Sequence, residues 1–124
     1  MDSDEPKPEA ILEKIRPICL SLPDTRERLS WGHPTFTVHD RPFAVFEKYH
    51  LEWCLCFRTE LEHQGLFVKD PRFFITPYIG KQGWLSLRVH AAKLNWTEIR
   101  QLLRDSHKLV SALPAVKRRR PASS

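Results

Sequence analysis

Aromatic and basic side chains are interleaved in two short segments of this sequence, and each segment also contains glycine and proline. The first segment holds Trp31 and His33, and the second holds Tyr78, Lys81 and Trp84. Aromatic rings can stack on unpaired bases while cations neutralise phosphates, and nucleic-acid-binding grooves use this combination. A nucleic-acid-binding surface is therefore the first functional hypothesis, with DNA as the expected partner.

Further cations extend this candidate set. Arg88 follows Trp84 after four residues, and four consecutive cations occur near the end of the chain: Lys117, Arg118, Arg119 and Arg120. These four supply +4 of the formal net charge of +5, while residues 1–9 contribute −3 and residues 10–116 contribute +4. The basic run could dock on nucleic acid or on an acidic partner, or it could be a solvated chain end.

A structural explanation of the same residues stays open. Trp31, Tyr78 and Trp84 could be core or edge aromatics, and the neighbouring glycines and prolines could serve only to form turns. The second functional hypothesis is a chaperone-like module that binds a protein or peptide. The two functions differ in salt dependence, because phosphate contacts release counterions whereas an apolar peptide groove is nearly indifferent to salt.

The sequence lacks the motifs of common hydrolase and nucleotide-binding sites. It contains no Gly-x-Ser-x-Gly elbow and no glycine-rich phosphate loop, and these motifs carry most such chemistry. His33, between a glycine and a proline, is interpreted as a turn residue rather than as an acid or base. Cys54 and Cys56 lack the second ligand pair of a zinc site, so we predict reduced, buried thiols. We expect no enzymatic activity, no metal and no cofactor.

Hydrophobic periodicity predicts the elements that would position these residues. Helical spacing predicts a first helix at residues 8–20 and a last helix at residues 96–112, the latter capped by Asn95. A capping pair, Thr59 and Glu62, predicts a short helix after the fourth strand. Segments rich in β-branched and aromatic residues predict four strands between the first two helices, at residues 27–31, 35–38, 43–48 and 51–58.

The stretch from residue 73 to residue 89 is predicted to form strand, turn and strand. Its second half alternates apolar and polar residues, so Trp84, Ser86 and Arg88 should share one face of the sheet. Strands joined by such short connections must pair in antiparallel fashion. We therefore predict a two-layer α+β fold, in which the N- and C-terminal helices cover one face of an antiparallel meander sheet and leave the other face for a ligand.

The expected organisation is a single domain at residues 8–114, between a disordered leader at residues 1–7 and a disordered basic tail at residues 115–124. No apolar run approaches the length of a membrane span, and the acidic start of the chain does not look like a secretion signal. We therefore expect a cytoplasmic monomer without a membrane partner.

Three blocks of the sequence resemble the MmcQ/YjbR family of small bacterial proteins. The blocks are residues 19–23 with residues 31–38, residues 77–84, and residues 96–99 with Ser106 and His107. In order and spacing they match over residues 10–112. The resemblance implies a two-layer α+β fold, similar to secretion-chaperone-like and frataxin-like sheets, and a DNA-binding protein without a recognised catalytic residue.

Overall fold

Six antiparallel strands form one sheet in the computed structural model, which describes residues 6–114. The elements follow in the order α1 (Pro8–Leu20), β1 (Thr25–Ser30), β2 (His33–Val38), β3 (Arg41–Tyr49), β4 (Glu52–Arg58), a 3-10 turn (Leu61–His63), α2 (Gln64–Phe67), β5 (Phe73–Ile75), a second 3-10 turn (Gly80–Gln82), β6 (Trp84–Arg88) and α3 (Trp96–Ser111). The strands lie in the order β1-β2-β3-β4-β6-β5. The predicted tail and the first five residues of the predicted leader lie outside the described range.

Both long helices pack on the same face of the sheet. Ile11 and Ile15 of α1 are buried in one hydrophobic core with Ile99 and Leu103 of α3, and the strands contribute residues such as Phe57 to this core. A single core between helices and sheet is the arrangement that a two-layer domain requires. The predicted α+β fold, with both terminal helices on one face, is therefore confirmed.

The alternation predicted for β6 is also confirmed. Leu85 and Leu87 belong to the main core, whereas Trp84 belongs to a second, smaller cluster with Cys54 and Cys56. Successive side chains of a strand point to opposite faces, so this second cluster lies on the sheet face that the helices leave free. Half-buried residues cover it: Val45, Tyr49, Phe74 and Ile79.

The two long helices begin where the sequence predicts. Pro8 occupies the first turn of α1, where its missing N–H is not needed. The Asn95 side chain accepts a hydrogen bond from the backbone N–H of Glu98 at 3.1 Å and so satisfies one free donor of α3. No helix within residues 6–114 is long and apolar enough to cross a lipid bilayer.

The turn predicted around His33 is wrong, because β2 begins at this residue. The loop between β1 and β2 has only two residues, Trp31 and Gly32, whose φ angles are 56° and 81°. Such tight hairpin loops have positive φ at both central residues, and the strands pair directly beside them. His33 therefore pairs with Ser30 through the backbone hydrogen bonds next to the loop. Pro34 can follow in the strand because an N–H at this position would point away from β1.

The other strand ends differ from the prediction by one or two residues. The β2–β3 loop consists of His39 and Asp40, and the β3–β4 loop consists of His50 and Leu51, all with positive φ. The sequence predicted a four-residue turn at residues 39–42 for the first of these loops and a two-residue turn at residues 49–50 for the second. The observed β3 therefore begins two residues earlier than predicted and β4 begins one residue later, while β1 spans Thr25–Ser30 rather than residues 27–31.

The capping pair predicted at Thr59 and Glu62 is also wrong. Glu60 precedes the 3-10 turn and makes no side-chain cap, and α2 begins only at Gln64. The backbone N–H of Thr59 instead donates to the carbonyl oxygen of Gly83 at 2.8 Å, which continues the pairing of β4 with the end of the β5–β6 connection. Thr59 is therefore held in the sheet and cannot cap a helix.

Candidate nucleic-acid interface

Edge strand β1 presents two arginines on the face of the sheet that the helices leave free. Arg26 and Arg28 are exposed and alternate with Glu27. The Glu27 carboxylate points toward α1, where it accepts hydrogen bonds from Arg16 at 2.7 and 3.0 Å. Because alternate residues share a face, Arg26 and Arg28 both point away from the helices and lie about 6.8 Å apart along the strand.

The charges of these two arginines are not neutralised by an acidic neighbour. Within residues 6–114, no carboxylate lies within salt-bridge distance of Arg26 or Arg28. Their cross-strand neighbours are Thr37 and Thr35, which are short and almost fully buried. Two guanidinium groups are thus available to contact phosphates, which they can do with parallel hydrogen bonds.

Trp31 lies at the tip of the same hairpin. Its side chain is 95% exposed, and its backbone has a φ of 56°. A bulky residue at positive φ is strained, and exposure on this scale means that no packing compensates the strain. The Trp31 side chain therefore contributes little packing to the stability of the hairpin.

His33 follows the tip and is held by a carboxylate. Its Nε2 atom lies 3.4 Å from Oε1 of Glu47, and the Tyr49 hydroxyl donates to Oε2 of the same carboxylate at 2.6 Å. Burial and the hydrogen bond to Glu47 both raise the pKa of Tyr49. The His33–Glu47 contact joins β2 to β3 on the helix-free face, and Tyr49 supports the Glu47 carboxylate from the same strand.

Trp84 is not available as a stacking platform. It is 4% exposed and packs in the small cluster with Cys54 and Cys56, each of which is 0% exposed. Beside them a buried hydrogen-bonded chain runs from the Cys56 thiol to Ser86 at 3.4 Å and from Ser86 to Thr76 at 2.8 Å. Burial raises the pKa of Cys54 to about 12 and raises that of Cys56 as well, so both remain neutral thiols. Their predicted burial is confirmed.

Arg88 is engaged by its own neighbours. Its Nε donates to a Glu52 carboxylate oxygen at 3.2 Å, a terminal nitrogen donates to the Pro71 carbonyl, and the guanidinium lies 4.7 Å from the centroid of the Phe74 ring. A phosphate would have to displace these contacts. The sequence-based role of Arg88 as a phosphate ligand is therefore less suited to the structure than that of the β1 arginines.

Tyr78 and Lys81 lie at the diagonally opposite corner of the sheet from Trp31. Both are exposed, Tyr78 by 95% with a φ of 68°. Four interstrand spacings separate the β1–β2 and β5–β6 connections, about 19 Å across the sheet. The structure thus brings Trp31 and His33 together but separates them from Tyr78 and Lys81, while Lys117, Arg118, Arg119 and Arg120 lie outside the described residues.

Arg26 and Arg28 are the residues that sequence reasoning missed. Their signal was present as a charged period-two pattern in the sequence of β1. It was overlooked because the strand was predicted to begin one residue after Arg26, and charged residues dominate its first half. Strands are predicted from apolar residues that alternate with polar ones. An exposed edge strand in which only charged residues alternate lacks this signal and is therefore easily missed.

One group of potential metal ligands occurs in the described part of the chain. Ligand atoms of Glu60, Glu62 and His63 lie within 4.8 Å of one another, and all three side chains are exposed. Exposed acidic groups of this kind are common without an ion, and no buried partner orients them. They support no metal assignment.

The fold and these contacts can be compared with known families. A family model described as YjbR matches residues 20–109. The chain belongs to the YjbR family. The resemblance inferred from the sequence blocks is thereby confirmed, and the matched range contains the β1–β2 hairpin, Cys54, Cys56 and most of α3.

Solved structures show the same fold. A Deinococcus radiodurans protein with the domain DUF419 is similar with a TM-score of 0.71 at 18% identity, over 90% of this chain and 86% of its own. A Pseudomonas syringae protein is similar with a TM-score of 0.65 at 18% identity, over 78% of this chain and 96% of its own. No curated protein matches the sequence. Similarity at this level establishes the YjbR fold alone, because one fold serves many functions.

The last YjbR-like block has a structural role in this chain. The Ser106 hydroxyl donates to the Phe43 carbonyl at 2.6 Å and accepts from the Arg58 backbone N–H at 2.8 Å. His107 Nε2 lies 2.8 Å from the Pro23 carbonyl oxygen, and its ring packs edge-on against Phe43 at 5.1 Å. These two residues tie α3 to the sheet and to the segment between α1 and β1, which is a structural role.

Proposed function

We propose that this protein binds single-stranded nucleic acid without catalysis, through the β1–β2 hairpin. Trp31 would stack on an unpaired base, while Arg26 and Arg28 contact phosphates. The observation that carries the proposal is a tryptophan that is 95% exposed and held at positive φ. In the strand that leads to it lie two arginines that have no acidic partner within residues 6–114. Aromatic stacking combined with backbone cations is how single strands are bound without sequence preference.

The hairpin loop itself supports a functional role for Trp31. Two-residue loops of this type favour Asn or Asp followed by Gly, because these residues tolerate positive φ. Here Gly32 fits the preference and Trp31 does not. A residue that strains the backbone and packs against nothing points to a role in binding.

A single-stranded partner suits this geometry better than a duplex. The flat face of a base is open to a side chain only when the base is unpaired or splayed out. We propose DNA as the strand bound. Both solved relatives come from bacteria, and a DNA partner would place a bacterial protein in the cytoplasm, where we propose that it acts as a monomer.

A peptide partner is the second candidate, and a separate observation favours it. β1 is a six-residue edge strand, and Leu29 on it is 71% exposed. An extended peptide could add to such an edge through main-chain hydrogen bonds. This mode would be nearly insensitive to salt, whereas phosphate binding weakens as salt rises.

The decisive variant is Trp31→Asn, which removes the aromatic ring and improves the hairpin loop. We expect the affinity for a short fluorescein-labelled single strand of DNA, measured by anisotropy at low salt, to fall by about 5- to 150-fold, the equivalent of one base stack. We expect thermal stability to rise, since an Asn-Gly loop is favoured. Lost binding with a more stable fold separates a binding role from a folding role.

The cations are tested by the double variant Arg26→Gln with Arg28→Gln. Two lost phosphate contacts should flatten the slope of log affinity against log salt by about 1.4 on a single strand. The matched control is Arg100→Gln with Arg104→Gln, which removes two exposed cations from α3 in the other layer. If the β1 pair and the α3 pair have equal effects, or if Trp31→Asn binds as tightly as the unchanged protein, the hairpin is not the interface.

A further inference from the structure

A groove of about 750 Å³ opens between the start of α1, the segment that follows β6 and the first residue of α3. Seven of its ten lining residues are apolar: Pro6, Ala10, Ile11, Val89, Ala92, Leu94 and Trp96. Small-molecule sites are concave, mostly apolar and about 300 to 1,000 Å³ in volume, with a few polar groups that fix the ligand. The groove has this composition, and it shares no residue with the β1–β2 hairpin.

The polar side chains that line the groove are all basic. They are Lys14, His90 and Lys93, and no aspartate or glutamate lines the groove in residues 6–114. Neither lysine forms a salt bridge within that range. The Lys14 ammonium instead lies 5.3 Å from the centroid of the Trp96 ring, so an aromatic face rather than a carboxylate holds it at the wall. Its charge is oriented but not neutralised.

His90 closes one end of the groove. Its Nε2 atom lies 3.0 Å from the carbonyl oxygen of Pro6. A carbonyl oxygen only accepts hydrogen bonds, so Nε2 donates and the ring is fixed in position. This contact joins the segment before α1 to the segment after β6 and gives the groove a defined wall.

We infer that this groove binds a small amphipathic carboxylate. The apolar body of the ligand lies against Ile11, Val89 and Trp96, and its carboxylate lies between Lys14 and Lys93. An anion is favoured because both lysines lack an acidic partner in the described residues. A nucleotide is disfavoured because lysines act as point charges, and the groove offers neither an arginine fork nor a glycine-rich backbone nest for a phosphate chain.

The test compares three probes of equal chain length: octanoate, octanamide and octylamine. Each is titrated into the full chain labelled with nitrogen-15, and amide shifts are followed by NMR. We expect octanoate to bind saturably, with the largest shifts at Ala10, Val89 and Leu94. Octanamide should bind more weakly, and octylamine should bind more weakly still, because the lysines repel it.

Two variants locate the site without disturbing the fold. Lys14→Met with Lys93→Met keeps the apolar stems and removes both charges, and it should weaken octanoate by about 3- to 10-fold while leaving octanamide unchanged. Ala10→Phe fills the groove from the exposed side of α1 and should abolish binding of both. Lys81→Met, in the 3-10 turn before β6 and so at the opposite end of this strand from the groove, is the control and should have no effect.

The contrary outcomes are equally definite. Equal affinities for octanoate and octanamide would show that the lysines select nothing, and a preference for octylamine would show that the charge argument has the wrong sign. Octanoate shifts away from the groove, or no saturable shifts, would also overturn the inference. None of these results bears on the hairpin, so failure here is distinguishable from failure of the nucleic-acid proposal.

Discussion

The residues with positive φ angles fall into two groups: side chains that tolerate this backbone conformation and bulky side chains that are strained by it. Seven non-glycine residues in the described range have them: Asp24, Trp31, His39, Asp40, His50, Leu51 and Tyr78. Aspartate and histidine adopt this conformation comparatively often, because short polar or ring side chains tolerate it. Trp31, Leu51 and Tyr78 are bulky, and each is at least 90% exposed. Their strain is uncompensated by packing, which marks these positions as the places to look for binding.

Ionisation of the Cys54 thiol makes the stability of the folded protein depend on pH in the alkaline range. Burial, followed by the charge of Glu52, raises its pKa from 9.0 to about 12. The folded state therefore keeps the proton at a pH where the unfolded state has lost it. This contribution to stability is fully present below pH 9.0 and disappears as the pH rises toward 12. We expect the urea midpoint to fall over this window, and to fall less steeply in Cys54→Ala.

Other buried groups change the stability in the same direction at alkaline pH. The contribution of Cys54 is therefore obtained by comparing the unchanged protein with the Cys54→Ala variant. Burial also raises the pKa values of Cys19, Cys56 and Tyr49. The unchanged protein and Cys54→Ala should differ only by the share of this one thiol. Parallel curves of midpoint against pH would show that Cys54 ionises as easily in the folded protein as in the unfolded chain.

Among the elements, the sequence predicts best where one strong local signal decides. The start of α1 at Pro8 and the cap of α3 at Asn95 depend on the chemistry of a single residue, and both are confirmed. The strand ends depend instead on pairing with a neighbouring strand. The exact positions of the two-residue loops could not be predicted, because their left-handed residues include Trp31 and Leu51, which rarely occupy such positions.

Strand pairing and tertiary packing, which local sequence does not show, also decide how much of the candidate interface could be predicted. Trp31 and His33 were identified from residue type, but their grouping with Arg26 and Arg28 follows from the β1–β2 pairing. The sequence also could not show that Trp84 is buried, since its environment comes from the cluster of Cys54, Cys56 and the residues covering them. Side-chain chemistry is readable from sequence, while exposure depends on tertiary packing.

The connection between β5 and β6 depends on Gly83. Its φ is 100°, and a Cβ at this position would clash with the carbonyl oxygen of Thr59, a backbone atom that cannot easily move. Thr59 also donates its N–H to the Gly83 carbonyl at 2.8 Å. We expect Gly83→Ala to lower the free energy of unfolding by at least about 2 kcal/mol, since strain and the clash add. Urea denaturation measures this.

Gly65 supplies the matched control for this substitution. It lies in α2, its φ is not in the left-handed region, and a Cβ there would meet no atom within 4 Å. Gly65→Ala should leave stability unchanged or raise it by up to about 1 kcal/mol, because alanine favours helix. Similar losses in both variants would mean that the backbone of residue 83 is less constrained than its contacts indicate.

At the scale of the whole molecule, basic charge occurs both in the described residues and in the run of cations at residues 117–120. Residues 6–114 contain sixteen Lys and Arg against twelve Asp and Glu, a net charge of +4, and residues 117–120 add four cations in sequence. Within residues 6–114, ion pairs neutralise Arg16 and Arg72, which leaves the β1 arginines among the cations free to act. The two parts therefore make different predictions for nucleic-acid binding.

Removal of residues 117–124 separates the two contributions. Four cations that contact phosphates release counterions, so their loss should flatten the slope of log affinity against log salt by at most about 2.8 on a single strand, at 0.7 per contact. Base stacking by Trp31 should persist in the shortened protein. We expect weaker binding with a shallower slope, measured by anisotropy with the same labelled strand.

A second substitution in the shortened protein completes the test. If the hairpin binds, adding Trp31→Asn should remove most of the remaining affinity, while Tyr78→Asn, an equally exposed aromatic at the opposite corner, should have a smaller effect. A larger loss from Tyr78→Asn would move the interface to the β5–β6 corner beside Lys81. Should the shortened protein bind neither single-stranded nor duplex DNA even at low salt, the cations at residues 117–120 would account for all binding. Trp31 would then be better explained as an anchor for a peptide added to the edge of β1, an interaction that salt would barely change.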